Sequence, residues 1–127
     1  MRIAHLTWSL GIGGAQTLLV KIVNFQVSKG NEVAIFEVDT YVSKTIVEKI
    51  DPRVKIFYLG RTRGKKAVLP FIRLNWYLRK FNPDIIHSHA GKLINVVFSN
   101  KPKVATIHGM KDWPNDYRKY DRIYAKR

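Results

Sequence analysis

A chain of 127 residues has room for one domain with a real core, but not for a second α/β unit. The absence of cysteine excludes disulfides and thiolate metal sites, and 46% hydrophobic with 25% charged residues excludes a disordered chain. The 23 basic against 9 acidic residues leave a net charge of +14, which calls for an anionic partner: nucleic acid, an acidic membrane surface or a phosphorylated substrate.

The polar opening Met1-Arg2-Ile3-Ala4-His5 is no signal peptide, and no apolar run approaches the roughly 18 residues of a membrane span. The expected location is therefore cytoplasmic. Residues 3–7 read as a buried first strand. Ala15, Leu18, Leu19, Ile22, Val23 and Gln26 recur at helical spacing, with Gly30 as the stop signal. Residues 32–38, rich in β-branched and aromatic side chains, give a second strand, and 43–49 a short helix ended by Asp51-Pro52. Residues 54–59 form a third strand, followed by a Gly- and Arg-rich loop over 60–66. A long amphipathic helix spans 67–81, closed by Asn82-Pro83. A fourth strand over 84–89, a helix near 92–99, a fifth strand over 103–108 and a sixth over 121–125 complete the pattern.

Strands alternating with helices require right-handed crossovers and a mostly parallel sheet covered on both faces. The fold class is thus α/β, doubly wound and Rossmann-like, with expected strand order 3-2-1-4-5-6. In such a sheet ligands sit beyond the carboxyl ends of the strands, near the order reversal. Three stretches meet there: the loop from Thr7 to Ala15, residues 87–91, and His108-Gly109.

Gly11-Ile12-Gly13-Gly14 leads straight into a helix, whose first N–H groups can face an anion. A turn that merely needs glycine is the plain alternative. The dinucleotide fingerprint is broken, because Gln16 stands at the third glycine position. His87 reads as a hydrogen-bonded core histidine and His5 as structural, while His89 and His108 end their strands and turn toward the cleft. His87-x-His89 has metal-pair spacing without an evident third ligand, so no metal is expected.

Between Pro52 and Pro83 stand nine Lys or Arg residues and no acid. They surround a helix carrying Phe71, Ile72, Leu74, Trp76, Tyr77 and Leu78, more apolar surface than one sheet-facing stripe needs. Two readings stand side by side. One is an interfacial membrane contact, with aromatics at the headgroup boundary and basic residues on anionic lipid. The other is a broad core helix with a solvated basic rim.

The first strand with Gly13-Gly14-Ala15-Gln16, then Asp84-Ile85-Ile86-His87-Ser88-His89, then Ala105-Thr106-Ile107-His108-Gly109, together resemble glycosyltransferase family 4. These are retaining enzymes of the GT-B architecture, and the resemblance runs through essentially the whole chain. It implies an amino-terminal, acceptor-side domain over 1–127, with the nucleotide-sugar domain absent. It implies His108 as the catalytic contact to the transferred sugar, Gly13 and Gly14 near the donor diphosphate, and Gln16, His89 and Gly109 as donor or acceptor contacts. Gln16 stands where many relatives carry Glu. The donor would be a nucleotide-sugar substrate, no cofactor is implied, and the acceptor would be a polysaccharide or glycolipid on a membrane.

The second domain of such enzymes supplies a paired-glutamate motif and phosphate-binding basic residues, so this chain alone is expected to be inactive. The basic segment then gains a purpose. Arg61, Arg63, Lys65, Lys66, Arg73, Trp76, Arg79 and Lys80 become the expected membrane or anion contacts, and the location becomes peripheral on the inner membrane face. The rival reading is a basic nucleic-acid-binding α/β module; no RNA- or DNA-binding motif supports it.

Overall fold

The computed structural model describes residues 1–61, 68–107 and 122–125. Strand β1 (Arg2–Thr7) runs through the hydrophobic loop at Leu10 into helix α1 (Gly14–Ser28), and β2 (Glu32–Asp39) follows. Helix α2 (Lys44–Glu48), strand β3 (Lys55–Arg61) and helix α3 (Leu69–Phe81) come next. Strand β4 (Ile85–Ser88), a 3-10 turn (Gly91–Val96), β5 (Lys103–Ile107) and β6 (Arg122–Ala125) complete the sheet. The strand order is β3-β2-β1-β4-β5-β6, as the alternation predicts, and every pairing is parallel.

Chain breaks fall where the backbone demands them. Gly30 ends α1 at φ 87, a left-handed conformation that costs other residues a Cβ clash. Asn82 ends α3 in the same region, its N–H donating to the Leu78 carbonyl at 2.9 Å, and Pro83 prevents continuation.

The two faces of the sheet bury different side chains. On one, α1 and α2 pack aliphatic residues (Leu19, Val23, Ile46) on Val33, Ile35 and Val54. On the other, α3 packs Leu74, Leu78 and Phe81 on Ala4, Leu6, Phe36 and Leu59, and the 3-10 turn adds Leu93 and Ile94. Phe36 anchors this second face. Its ring stacks on Phe57 at 4.8 Å and 10°, and meets Phe81 edge-on at 6.2 Å.

One predicted element differs in kind. The helix expected near 92–99 is a six-residue 3-10 turn that gives way to extended backbone at Val97. Ile94, Val96 and Val97 are β-branched, which weakens the helix that the apolar spacing suggests.

Candidate functional site

The carboxyl ends of β1, β2 and β3 meet around the glycine-rich loop. The loop is fixed by short polar ties: Thr7 Oγ1 donates to the Ser9 carbonyl at 3.1 Å, and Gln16 Nε2 to the same oxygen at 3.3 Å. A bridge from Leu10 to Val42 ties it to the segment after β2. Gly11 has no side chain for a reason: a Cβ there would collide with the Tyr41 ring. Gly13 and Gly14 open α1, whose first turn has no side-chain cap and no acidic residue, so its N–H groups keep their affinity for an anion.

Below the loop lies a cavity of about 410 Å³, lined by Trp8, Ser9, Gly11, Ile12, Asp39 and Tyr41. Asp39 is buried and held on two sides. Its N–H donates to the Trp8 carbonyl at 2.7 Å, and its Oδ1 accepts from Arg61 NH1 at 3.1 Å. The Arg61 guanidinium in turn lies 5.2 Å from the centre of the Trp8 ring.

Arg61 does not stand in an exposed loop. The sequence placed it in an exposed basic loop; instead it ends β3, with its side chain 25% exposed and paired to Asp39. A carboxylate 22 residues away claims it, which a charge count cannot detect.

Two residues before Asp39, Glu37 is fully buried, and neither carboxylate oxygen has a hydrogen-bond partner among the described residues. Burial, aided by the Asp39 charge, pushes its carboxyl up from 4.5 to about 8, so it is protonated at neutral pH.

At the seam between β1 and β4 three histidines gather on one face. Register pairs His5 with His87, and His89 lies two residues on. His5 is fully buried; Nε2 meets Gln26 Oε1 at 2.7 Å and Nδ1 meets His89 Nε2 at 3.0 Å. Burial, reinforced by His87, drives its pKa down from 6.5 to about 3, so it is neutral. The structural reading of His5 agrees with this; His87 is hydrogen-bonded as expected, its Nε2 meeting Thr106 Oγ1 at 2.8 Å, but it is half-buried and not a core residue.

His89 departs from expectation. Instead of turning outward it is buried, its Nε2 against His5. His5 is also the third histidine that the His87-x-His89 spacing lacked: one nitrogen of each lies within 4.8 Å of the others. The rings stack at 4.3 to 5.2 Å with interplanar angles of 24° to 40°.

The outer face of α3 is the second surface of note. Val68, Leu69, Ile72 and Trp76 are each more than half exposed, and Phe98 is 82% exposed beside them. Asn75 fixes this arrangement: its Nδ2 donates to the carbonyls of Phe71 and Val96, and its Oδ1 accepts from Phe98 N–H at 2.8 Å. An apolar groove of about 440 Å³ runs between α3 and Phe98. Lys80 Nζ sits 4.1 Å over the Trp76 ring, and Arg79 lines an adjoining polar cleft of about 240 Å³ with Lys101. Arg73 NH1 donates to the Leu59 carbonyl at 3.3 Å. His108, Gly109, Arg63, Lys65 and Lys66 lie outside the described residues.

The family model for Glycosyltransferase Family 4 matches residues 12–127. The chain belongs to glycosyltransferase family 4. No curated protein and no solved structure matches it. The function of this family 4 domain is accordingly of the glycosyltransferase type, a chemistry whose general partners are a nucleotide-sugar and a glycan acceptor. Among the described residues of the family 4 domain, no helix is long and apolar enough to cross a membrane. Sequence reasoning did not single out Glu37, Asp39 or Tyr41, although an acidic residue ending β2 beside a glycine loop is a recognisable ligand position in such folds.

Proposed function

We propose that this family 4 domain forms the acceptor side of a transfer from a nucleotide-sugar to a glycan or glycolipid held on an anionic membrane. The observation that carries the reading is the outer face of α3, where an exposed apolar groove lies beside Trp76, Lys80, Arg79 and Lys101. Side chains of this kind insert at the headgroup boundary while each basic group gains about 1 kcal/mol from anionic lipid. Exposure of so much apolar surface on a single helix has no counterpart in core packing, since Leu74, Leu78 and Phe81 already cover the sheet.

In this reading the acceptor approaches the loop at Gly13 and Gly14, with Gln16 bracing that loop. The nucleotide and its leaving diphosphate are held by a second domain, and the donor is a substrate with no resident cofactor. Without those diphosphate contacts the transition state lacks its main electrostatic support. The 127-residue chain by itself is therefore expected to release no nucleotide from a nucleotide-sugar. Turnover comparable to that of the chain joined to a donor domain would refute the division of labour.

Docking is tested by co-sedimentation with phosphatidylglycerol-containing and pure phosphatidylcholine vesicles. Binding is expected to the anionic vesicles only, to weaken with salt, and to fall about tenfold in Trp76→Ser, the loss of roughly 1.5 kcal/mol of aromatic burial. Equal binding to neutral vesicles, indifference to Trp76→Ser, or salt-sensitive retention on nucleic acid in place of lipid would overturn it.

A further inference from the structure

We infer that the cavity at the carboxyl ends of β1 and β2 is a sugar-ring subsite in which Asp39 receives a vicinal diol. The inference deepens the acceptor-side reading and rests on it.

A sugar ring presents apolar C–H faces and a rim of hydroxyls, so its receptor needs flat apolar walls and a few fixed polar atoms. The cavity of about 410 Å³ has that composition. Trp8 and Tyr41 supply aromatic walls, Ile12 an aliphatic one, and Asp39 and Ser9 the polar atoms. Tyr41 reaches the loop only because Gly11 leaves room for its ring.

Asp39 is preorganised for the task. Backbone and Arg61 contacts hold it, and Oδ1 is committed to Arg61 while Oδ2 has no hydrogen-bond partner among the described residues. A carboxylate oxygen with its lone pairs unclaimed matches the O–H donors of two adjacent hydroxyls. Glu37 adds no second charge, since it is protonated at neutral pH. Position in the fold agrees: an acidic residue ending β2, next to the loop after β1, is where dinucleotide-binding sheets grip the ribose hydroxyls.

The test uses this chain and saturation-transfer NMR with three probes: methyl α-mannopyranoside, methyl α-glucopyranoside and cyclohexanol. The glycosides are expected to bind with Kd on the order of millimolar, as befits a ligand of few atoms, and cyclohexanol not to compete. Asp39→Asn is expected to weaken glycoside binding about tenfold or more, the loss of a charge-assisted hydrogen bond. Tyr41→Ala, at an exposed position that leaves the fold intact, is expected to weaken it severalfold. Absence of glycoside binding, competition by cyclohexanol, or equal binding by wild type and both variants overturns the subsite. Vesicle binding is expected to be unchanged in Asp39→Asn, so loss of the subsite and loss of membrane docking give separate signatures.

Discussion

Glu37→Gln is expected to stabilise the domain at and above pH 8 while leaving its stability at pH 4.5 nearly unchanged. The folded protein keeps a proton on Glu37 that the unfolded chain releases as pH rises from 4.5, and holds it until about 8. Across that interval the unfolded state binds fewer protons, so stability falls by about 1.4 kcal/mol per pH unit. Glutamine keeps the shape and has nothing to ionise. His5 acts with the opposite sign. Its folded pKa of about 3 lies below the unfolded 6.5, so its contribution is intact above 6.5 and is lost as pH falls toward 3.

The two intervals overlap between 4.5 and 6.5, where the slopes cancel. Urea titrations across pH are therefore expected to show a plateau there, an alkaline limb from Glu37 and an acid limb from His5. Below 3.8 the half-buried Asp51, held low by its hydrogen bonds to Arg53, adds to the acid limb. Glu37→Gln removes the alkaline limb and turns the plateau into a rise from pH 4.5 to 6.5, where His5 then acts alone. Stability that keeps rising from pH 6.5 to 8, or an alkaline limb that survives the substitution, would show that Glu37 is not the buried neutral acid described.

Phe36→Ala is expected to cost about 3–5 kcal/mol, a large part of the 5–15 kcal/mol that holds a domain together. Phe36 is fully buried and joins β2 to β3 through Phe57 and to α3 through Phe81, so its removal leaves a cavity bounded by three elements. Collapse of that cavity would require moving the sheet against the helix, which a close-packed interior resists. The matched control is Phe25→Ala on the outer face of α1, where the ring is exposed and the expected change is about 0.5–1 kcal/mol. In urea the Phe36 variant is expected to unfold at a lower midpoint with an unchanged slope. Equal costs at the two positions would mean that the aromatic face is not the centre of the core.

Topology was legible in the sequence because alternation and crossover handedness leave few arrangements. The strand order, the helix stops at Gly30 and Asn82, and the glycine loop before α1 all follow from local chemistry. What was not legible depends on register and on distant pairs. His5 and His87 are 82 residues apart in the chain, and only the in-register pairing of β1 with β4 makes them neighbours. His89 turns inward because that same register puts His5 within hydrogen-bond reach. Arg61 belongs to a run of cations by sequence and to Asp39 by structure. The turn at Gly91–Val96 shows the limit of apolar spacing, which cannot tell a helix from a tighter turn when the side chains are β-branched.

The pairing of β1 carries a kinetic consequence. On one side β1 meets β2 after a single crossover, with Ile3 beside Val33; on the other it meets β4, with Ile3 beside Ile85. The second contact closes a far longer loop, and contacts of large sequence separation form slowly. The strands β1, β2 and β3, which carry the glycine loop and the Asp39–Arg61 pair, can thus assemble before β4 arrives. Contact separation predicts that the histidine seam closes after them, the stacked imidazoles joining β4 to a sheet half that already carries the Asp39–Arg61 pair.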